Sequence, residues 1–200
     1  MDGKGQIGRP RTFDADAALD RAMRVFWEQG YEGASLADLT TAMGITRTSM
    51  YAAFGNKEQL FRLALQRYTE GPASYGVRAL REPTAWEVAT RFLAGSVAAT
   101  TATDCPPGCL GVQGSLVSGD TAHPIRDLLA DWRQGAVDLL RERFQRAVDD
   151  RDLPAEADPA LLARYLITVS NGIAVQAATG VGPEELAQVA DAALRNWPLL

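Results

Sequence analysis

The segment that most constrains the fold of this chain is Ser35–Phe54, which predicts two short helices joined by a tight turn. Ser35 is a favourable N-cap for the first helix, and Asp38 stands at the capping-box position. Gly44 predicts the end of that helix, because glycine readily adopts the left-handed conformation of helix C-termini. Ile45 then fits the angle between two crossing helices. Four apolar residues at helical spacing predict the buried face: Leu36, Leu39, Ala42 and Met43.

The second helix of this pair presents a surface without acidic residues. Thr46 is a suitable N-cap, and Met50 and Phe54, four residues apart, predict its buried side. Helix-turn-helix proteins place the outward N-terminal part of such a helix against the base edges of DNA. An ordinary helical hairpin in a protein core has the same pattern, so the motif alone leaves that alternative open. The outward residues here are Arg47, Thr48, Ser49 and Tyr51.

Amphipathic helices are predicted on both sides of the motif. The upstream helix ends near Gly30, and Tyr31 adds aromatic bulk to a small three-helix core. Downstream, Asn56 and Gln59 form a second capping-box pattern at the start of a long helix. Lys57 opens this helix, and an ammonium group beside the positive end of a helix predicts a phosphate contact. A solvated surface lysine is the alternative interpretation.

Residues 1–12 are rich in glycine and polar side chains, which predicts a flexible arm. Arg9 and Arg11 lie in this arm, and arginines ahead of a DNA-reading domain can enter a minor groove or neutralise phosphates. A disordered solubilising tail would have the same composition.

The composition restricts the class of protein. With 46% hydrophobic and 22% charged residues, the 200-residue chain is typical of a globular protein with a sizeable core. No apolar run approaches the roughly 18 residues of a spanning helix, and the start lacks the apolar centre of a secretory signal. We therefore expect a cytoplasmic protein without a membrane partner. The net charge of −5 is unusual for a DNA-binding protein, but no acid lies between Leu39 and Asn56, which leaves a local basic patch possible.

Phe13–Leu65 resembles, nearly without gaps, the N-terminal domain of the TetR family of bacterial transcriptional regulators. Several spacings agree together, which is far more specific than a bare helix-turn-helix pattern. Many members of the family carry Tyr or His where this chain has Ala52 and Ala53, so the base preference of a relative cannot be transferred. The matching residues are Phe26, Gly30, Tyr31, Ser35, Leu39, Met43, Gly44, Ile45, Thr46, Met50, Tyr51, Phe54, Asn56, Lys57, Glu58 and Leu60.

The resemblance implies an all-α protein with a helix-turn-helix domain over residues 13–56. Residues 57–200 would form a helical effector-binding and dimerisation domain, reached through the long helix from Lys57. Tyr51 and Lys57 would contact mostly phosphates. Together with the arm arginines and Ser35, the residues expected to face DNA are Arg9, Arg11, Ser35, Thr46, Arg47, Thr48, Ser49, Tyr51 and Lys57.

Prolines, glycines and apolar periodicity predict the remaining helices. Gly71 and Pro72 should end the long helix, and Pro83-Thr84 and Pro124 should each begin another. The last two helices, over about residues 160–178 and 183–196, are rich in small and apolar residues. These helices have more apolar residues than one buried face requires, which predicts that two chains pair through a two-fold four-helix interface. Burial of these residues inside one chain is the alternative. The residues assigned to this interface are Leu166, Ile173, Leu186, Val189, Leu194 and Trp197.

Aromatic residues on the predicted helices suggest an apolar ligand cavity. Each of them alone is more commonly part of a protein core. We expect Trp86 and Trp132 to line the cavity first of all, with Asn171 as a polar group. The full set assigned to the cavity is Tyr75, Trp86, Phe92, Cys109, Trp132, Tyr165 and Asn171.

The two cysteines suggest a second trigger. Cys105 and Cys109 flank a Pro-Pro-Gly turn and could sense oxidants or electrophiles, although a free cysteine is commonly a small buried hydrophobe. Metal binding would need more ligands than these thiols and His123 provide, and a Cys–His enzyme would need an oxyanion-binding loop that the sequence does not show. We expect no metal and no cofactor.

The sequence therefore predicts a dimeric DNA-binding repressor, not an enzyme, that binds a pseudo-palindromic operator and is released by a small-molecule effector. The same DNA reader triggered by cysteine oxidation or alkylation is the main alternative. A helical enzyme or a structural bundle is a remote one. The sequence identifies neither the effector, the operator, nor the regulated genes.

Arg47→Ala should weaken binding to a selected operator most, by about 1–3 kcal/mol, because Arg47 is the best candidate base reader. Lys57→Ala should weaken binding across all sequences and reduce the slope of log affinity against log salt by about one. Fluorescence anisotropy over a salt series measures both effects. Unchanged affinity in both variants would contradict the assignment of this face.

Overall fold

The computed structural model describes residues 13–113, 123–195 and 197, and these are entirely helical apart from turns and loops. This confirms the predicted all-α class. The predicted arm with Arg9 and Arg11 lies outside the described residues. In chain order the helices are α1 (Ala15–Gly33), α2 (Leu36–Met43), α3 (Arg47–Phe54), α4 (Lys57–Glu70), a 3₁₀ turn (Pro72–Ser74), α5 (Tyr75–Ala79), α6 (Ala85–Thr100), α7 (Leu110–Gln113), α8 (His123–Asp149), α9 (Pro159–Ala178) and α10 (Pro183–Arg195).

Local capping signals determine where these helices begin. The Ser35 hydroxyl accepts the Asp38 amide at 3.1 Å, and the Asp38 carboxylate accepts the Ser35 amide at 3.0 Å. Asn56 and Gln59 form the same reciprocal pair at the start of α4. The predicted ends of the helices are also observed, since α4 stops directly before Gly71.

The turn between α2 and α3 depends on one glycine. Gly44 caps α2 in the left-handed conformation with φ +68°. Its amide N–H donates hydrogen bonds to carbonyl oxygens in the last turn of α2. Arg21 on α1 donates to the carbonyl oxygen of Met43 at 3.1 Å, which holds this end of α2 against α1. The relative angle of α2 and α3 is therefore set by backbone conformation and by α1.

The N-terminal core lies beneath α2 and α3. Phe26 on α1 meets Phe61 on α4 edge to face, with ring centroids 5.0 Å apart. Met50 on α3 is fully buried against this cluster. Three buried residues of the N-terminal core come from α7 and α8, so the C-terminal part of the chain completes this core. They are Leu110, Ile125 and Leu129.

The C-terminal core is formed by α6, α8, α9 and α10. Its fully buried members include Leu93 on α6, Phe144 on α8 and Leu162 on α9. Trp197 closes one end, where its ring lies 5.1 Å from that of Phe144. Among the described helices, none combines the length and the apolar character needed to cross a membrane.

Most of the residues that the sequence assigned to a dimer surface belong to the C-terminal core of a single chain. Of the six, Val189 reaches solvent, with 48% of its surface exposed. Apolar periodicity did not separate the two roles, because a helix packed between neighbours is apolar over a wide arc of its surface. The corrected residues, all less than 9% exposed, are Leu166, Ile173, Leu186, Leu194 and Trp197.

Gly44→Ala should lower the free energy of unfolding by about 1–2 kcal/mol, because an L-residue is strained at this φ. No atom lies within 4 Å of the added methyl group, so steric overlap does not contribute. Gly135→Ala, in the interior of α8 with similar open space, is the control and should raise stability by about 0.5–1 kcal/mol. Urea denaturation measures both, and equal effects of the same sign would contradict this explanation of the turn.

Candidate DNA-binding interface and ligand cavity

The outer surface of α3 is the candidate DNA-binding interface. Arg47, Thr48 and Tyr51 are exposed at its N-terminal part, whereas Met50 and Phe54 are buried. Tyr51 exposes 48% of its surface although it is a large aromatic residue. Because α3 carries no acidic residue, this surface offers no repulsion to phosphates.

Three of the predicted DNA-facing residues are engaged in caps. The Thr46 hydroxyl oxygen accepts the Ser49 amide at 3.1 Å and lies 3.0 Å from the Ser49 hydroxyl. Ser35 donates its hydroxyl to the Asp38 carboxylate at 2.6 Å, and this bond holds the pKa of Asp38 below its usual range. The structure therefore gives Thr46, Ser49 and Ser35 a first role in fixing the helix starts, and leaves Arg47 and Thr48 as the exposed polar side chains of α3.

Lys57 is held in place by an aromatic ring. Its ammonium nitrogen lies 4.5 Å from the centroid of the Tyr31 ring, which is a cation–π contact. Burial lowers the pKa of Lys57, and the nearby carboxylate of Glu32 opposes that shift. The ring itself packs edge to face on Phe61, with centroids 5.3 Å apart. Lys57 thus has a defined position at the first turn of α4, rather than that of a freely mobile surface lysine.

A cavity of about 490 Å³ lies between α4, α5, α6, α8 and α9. This volume falls within the roughly 300–1,000 Å³ of small-molecule sites. Most of the wall is apolar, as Ala73, Phe92, Val112 and Ile167 illustrate. Val77 and Leu139, each 47% exposed, form part of its rim. The cavity can therefore take up an apolar molecule that enters from the surface.

Five of the seven residues that the sequence assigned to a cavity line this one. Trp86 does not, because it is the second residue of α6 and reaches solvent with 48% of its surface exposed. Tyr165 does not either, because its hydroxyl donates to the carbonyl oxygen of Ala193 on α10 at 3.2 Å. The five that the structure brings together are Tyr75, Phe92, Cys109, Trp132 and Asn171.

Trp132 connects the cavity to α4. Its indole N–H donates to the Thr69 hydroxyl oxygen at 2.8 Å, and its ring lies 6.2 Å from that of Tyr68 on the same helix. The ring also lies directly on Gly111, where an added Cβ would come within 2.3 Å of Trp132 Cζ3. Any larger residue at 111 would therefore push the indole out of its place.

Cys109 occupies the wall between the cavity and the N-terminal core. The Tyr68 hydroxyl and the backbone amides of Gly111 and Val112 lie near its sulfur and favour the thiolate. Burial nevertheless raises the pKa of the Cys109 thiol, because it opposes the charged thiolate more than these donors favour it. Cys105 is not among the lining residues, and both cysteines are free. The pair is thus divided into one thiol at the cavity and one outside it.

Several lining residues were missed by the sequence analysis. Thr69 and Ser170 are ordinary polar positions of amphipathic helices, and nothing in the sequence indicates that they meet at a cavity. The carboxylates on α8 were missed for the same reason, although their spacing does place them on one side of a helix. They are Asp131, Asp138 and Glu142.

A helix-turn-helix with an exposed recognition surface, joined to a helical domain with an apolar cavity, defines the class of ligand-responsive DNA-binding regulators. The bacterial regulatory proteins of the tetR family match residues 18–64, and the tetracyclin repressor-like C-terminal domain matches residues 89–193. The chain therefore belongs to the TetR family and is a DNA-binding transcriptional regulator, not an enzyme.

Individual relatives agree along nearly the whole chain. The HTH-type transcriptional repressor ComR of Escherichia coli K12 is 35% identical over 98% of this chain and 95% of its own length. The repressor AcnR of Corynebacterium glutamicum is 30% identical over 92% of each chain. A cysteine mutant of the TetR family regulator CifR, solved with 26 bp operator DNA, is 46% identical. That structure superposes with a TM-score of 0.91 over 95% of this chain and 100% of its own.

Tyr31→Leu should weaken operator binding about two- to fivefold, because it removes a cation–π contact of about 0.5–1 kcal/mol that positions Lys57. Tyr31→Phe keeps the ring and should bind as the unchanged protein does. Anisotropy titrations of both variants, alone and combined with Lys57→Ala, give the coupling energy. If Tyr31→Leu costs as much without Lys57 as with it, the ring does not act through the lysine.

Proposed function

We propose that this protein is a dimeric repressor that leaves a pseudo-palindromic operator when a small molecule occupies the cavity. The observation that carries the proposal is the position of Cys109 and Leu110, which are consecutive in the chain. Cys109 lines the cavity, whereas Leu110 is fully buried in the N-terminal core. A ligand that displaces the cavity wall at Cys109 would therefore also displace a residue of the core that α7 shares with α1 and α4, the helices that flank the helix-turn-helix pair.

Helix α4 supplies a second connection between the two sites. It begins with Lys57 at the candidate DNA surface and reaches Thr69 at the cavity, about 20 Å along its axis. Arg67 fixes its last turn to α1 through two bonds to the Asp20 carboxylate, at 2.8 and 3.1 Å. A rigid helix tied at both ends can transmit a movement of its cavity end to its DNA end.

Release requires that the ligand prefer one conformation. A molecule that binds two conformers equally shifts neither, and operator affinity falls only by the differential affinity of the ligand for them. Couplings of about 1–3 kcal/mol between sites are typical, which corresponds to about 5- to 150-fold in operator affinity. We place this exchange in the cytoplasm, where the operator is. ComR and AcnR are both named as repressors, which supports repression rather than activation as the function of this protein.

The surface of α9 and α10 is our proposed dimer interface. Leu161 and Val175 on α9 and Val189 on α10 are large apolar residues with 43–48% of their surface exposed. Gly172 lies between the first two on the same exposed side of α9, and it lets two helices approach closely. A two-fold pairing of this surface would give two recognition helices related by the symmetry of a palindromic site.

Selection of bound duplexes from a random pool tests the proposal. We expect an inverted repeat whose half-site centres are separated by about one helical turn or a multiple of it. A recovered site without two-fold symmetry would contradict the dimeric reader. Failure to retain any sequence would contradict specific DNA recognition and favour the helical bundle without a regulatory role.

A second candidate trigger is covalent modification of Cys109. The observation that favours it is that the thiol faces the cavity and has hydrogen-bond donors around its sulfur, whereas Cys105 lies outside the cavity. Alkylation would add bulk at the wall that adjoins Leu110 and would crowd the Tyr68 hydroxyl beside the sulfur. The DNA reader and the route of release would be the same, and the ligand would be bound irreversibly.

The raised pKa of Cys109 determines how this trigger depends on pH. Because the thiol is protonated at neutral pH, its alkylation by iodoacetamide should accelerate about tenfold per pH unit from pH 7 to 9. Mass spectrometry of the peptides containing each cysteine measures the rates. Cys109→Ser should abolish release by the reagent, and Cys105→Ser should preserve it. Release that persists in the double Cys→Ser variant would eliminate the covalent trigger.

A further inference from the structure

Most of the uncharged polar groups of the cavity lie on α5 and α9. The Tyr75 hydroxyl lies beside Ser96 and Ser170, whose own hydroxyl oxygens are 2.8 Å apart. Asn171 follows Ser170 on α9 and also lines the cavity. Its carboxamide has no hydrogen-bond partner among the described residues, and it can both donate and accept. Asn171 is half-buried at the cavity wall, so a ligand that enters displaces water from this carboxamide and has to supply the hydrogen bonds in its place.

Other polar groups of the lining already have partners. The Thr69 hydroxyl accepts from Trp132 and donates to the carbonyl oxygen of Leu65, at 2.8 Å each. The Thr100 hydroxyl donates to the carbonyl oxygen of Ser96 at 2.8 Å. Burial raises the pKa of Tyr75, so its hydroxyl stays neutral and remains a donor. Polar recognition is therefore confined to Asn171 and the hydroxyl cluster beside it.

The charges on the cavity wall oppose an anionic ligand. Three lining carboxylates lie on α8, and Arg133 is the one lining cation among the described residues. Arg133 already donates to the carbonyl oxygen of Gly111 at 2.9 Å. Asp131 and Glu142 are exposed to solvent, and Asp138 already pairs with Arg141 at 3.5 Å. The described inner wall therefore offers no free partner to a charge of either sign, and burying an unpaired charge is strongly unfavourable. An apolar molecule with a neutral polar group meets neither obstacle.

We propose that the cavity binds an uncharged, mainly apolar molecule that carries an alcohol or carbonyl oxygen, and that Asn171 recognises this oxygen. The proposal rests on the ligand-responsive function proposed above and specifies the chemistry of its effector. Phe92 and Trp132 provide aromatic walls for the apolar part, and the Asn171 carboxamide satisfies the oxygen. The Tyr75 cluster holds the inner wall in place and offers a second donor.

Competitive displacement of N-phenyl-1-naphthylamine from the full-length protein tests this chemistry with three probes of equal chain length: octan-2-ol, octanoate and octylammonium. Octan-2-ol should displace the dye at a concentration about tenfold lower than either charged probe. Asn171→Leu keeps the volume but removes the amide, and it should narrow this difference to threefold or less. Gln176→Leu, at an exposed position of the same helix, is the matched control and should leave the difference unchanged.

Equal or tighter binding of octanoate or octylammonium would overturn the proposal, as would failure of all three probes to displace the dye. An unchanged preference for the alcohol in Asn171→Leu would overturn the role of that residue. Operator affinity measured with each probe separates this inference from the proposed function. An alcohol that binds through Asn171 without lowering operator affinity would support the ligand chemistry and contradict release by cavity occupancy.

Discussion

The burial of Leu110 in the N-terminal core is the contact on which the connection between the two halves of this protein depends. A helix-turn-helix of three short helices has a small core, and here α7 and α8 complete it with Leu110, Ile125 and Leu129. The core that buries Met50 of α3 is therefore shared with the segment that carries the cavity. Cys109 is the preceding residue and belongs to the cavity wall. A single peptide bond therefore joins the cavity wall to a residue of the N-terminal core.

The exposed surface of α3 carries few polar side chains that could contact bases. Thr46, Ser49 and Ser35 stabilise helix starts, and Ala52 supplies no polar group. We propose that Arg47 and Thr48 contact bases and that Lys57 and Tyr51 contact phosphates. Specificity concentrated on so few side chains agrees with a net negative protein that binds DNA through a local surface rather than through its overall charge.

The sequence predicted the elements well because their signals are local. Caps such as Ser35 and Asn56, and the breaks at Gly44 and Gly71, act within a few residues of each helix end. The side of a helix that meets a partner is not local information. Leu166 and Ile173 satisfy the same periodicity whether their neighbour is α8 of one chain or α9 of another, and they proved to be in the core. Trp86 was misassigned for a related reason, since size alone does not determine burial.

The cavity contains residues that the sequence predicted and contacts that it could not predict. Cys109, Trp132 and Asn171 were predicted from their residue types and from their position in the helical effector-binding domain. The structure brings them together at the cavity. The bond from Trp132 to Thr69 could not be predicted, because it joins helices that are far apart in the chain. The same holds for the position of Leu110, which looks like any apolar residue of a short helix. The features that link the cavity to DNA are thus the tertiary ones.

Operator affinity of a protein whose cavity is filled by its own side chain tests the central claim most directly. Ala174 is buried on α9 and lines the cavity, so Ala174→Phe places a ring where a ligand would lie. Loss of binding of N-phenyl-1-naphthylamine verifies that the cavity is filled, and thermal unfolding verifies the fold. The account predicts operator affinity lower by about tenfold or more. A folded variant with a filled cavity and unchanged operator affinity would contradict it.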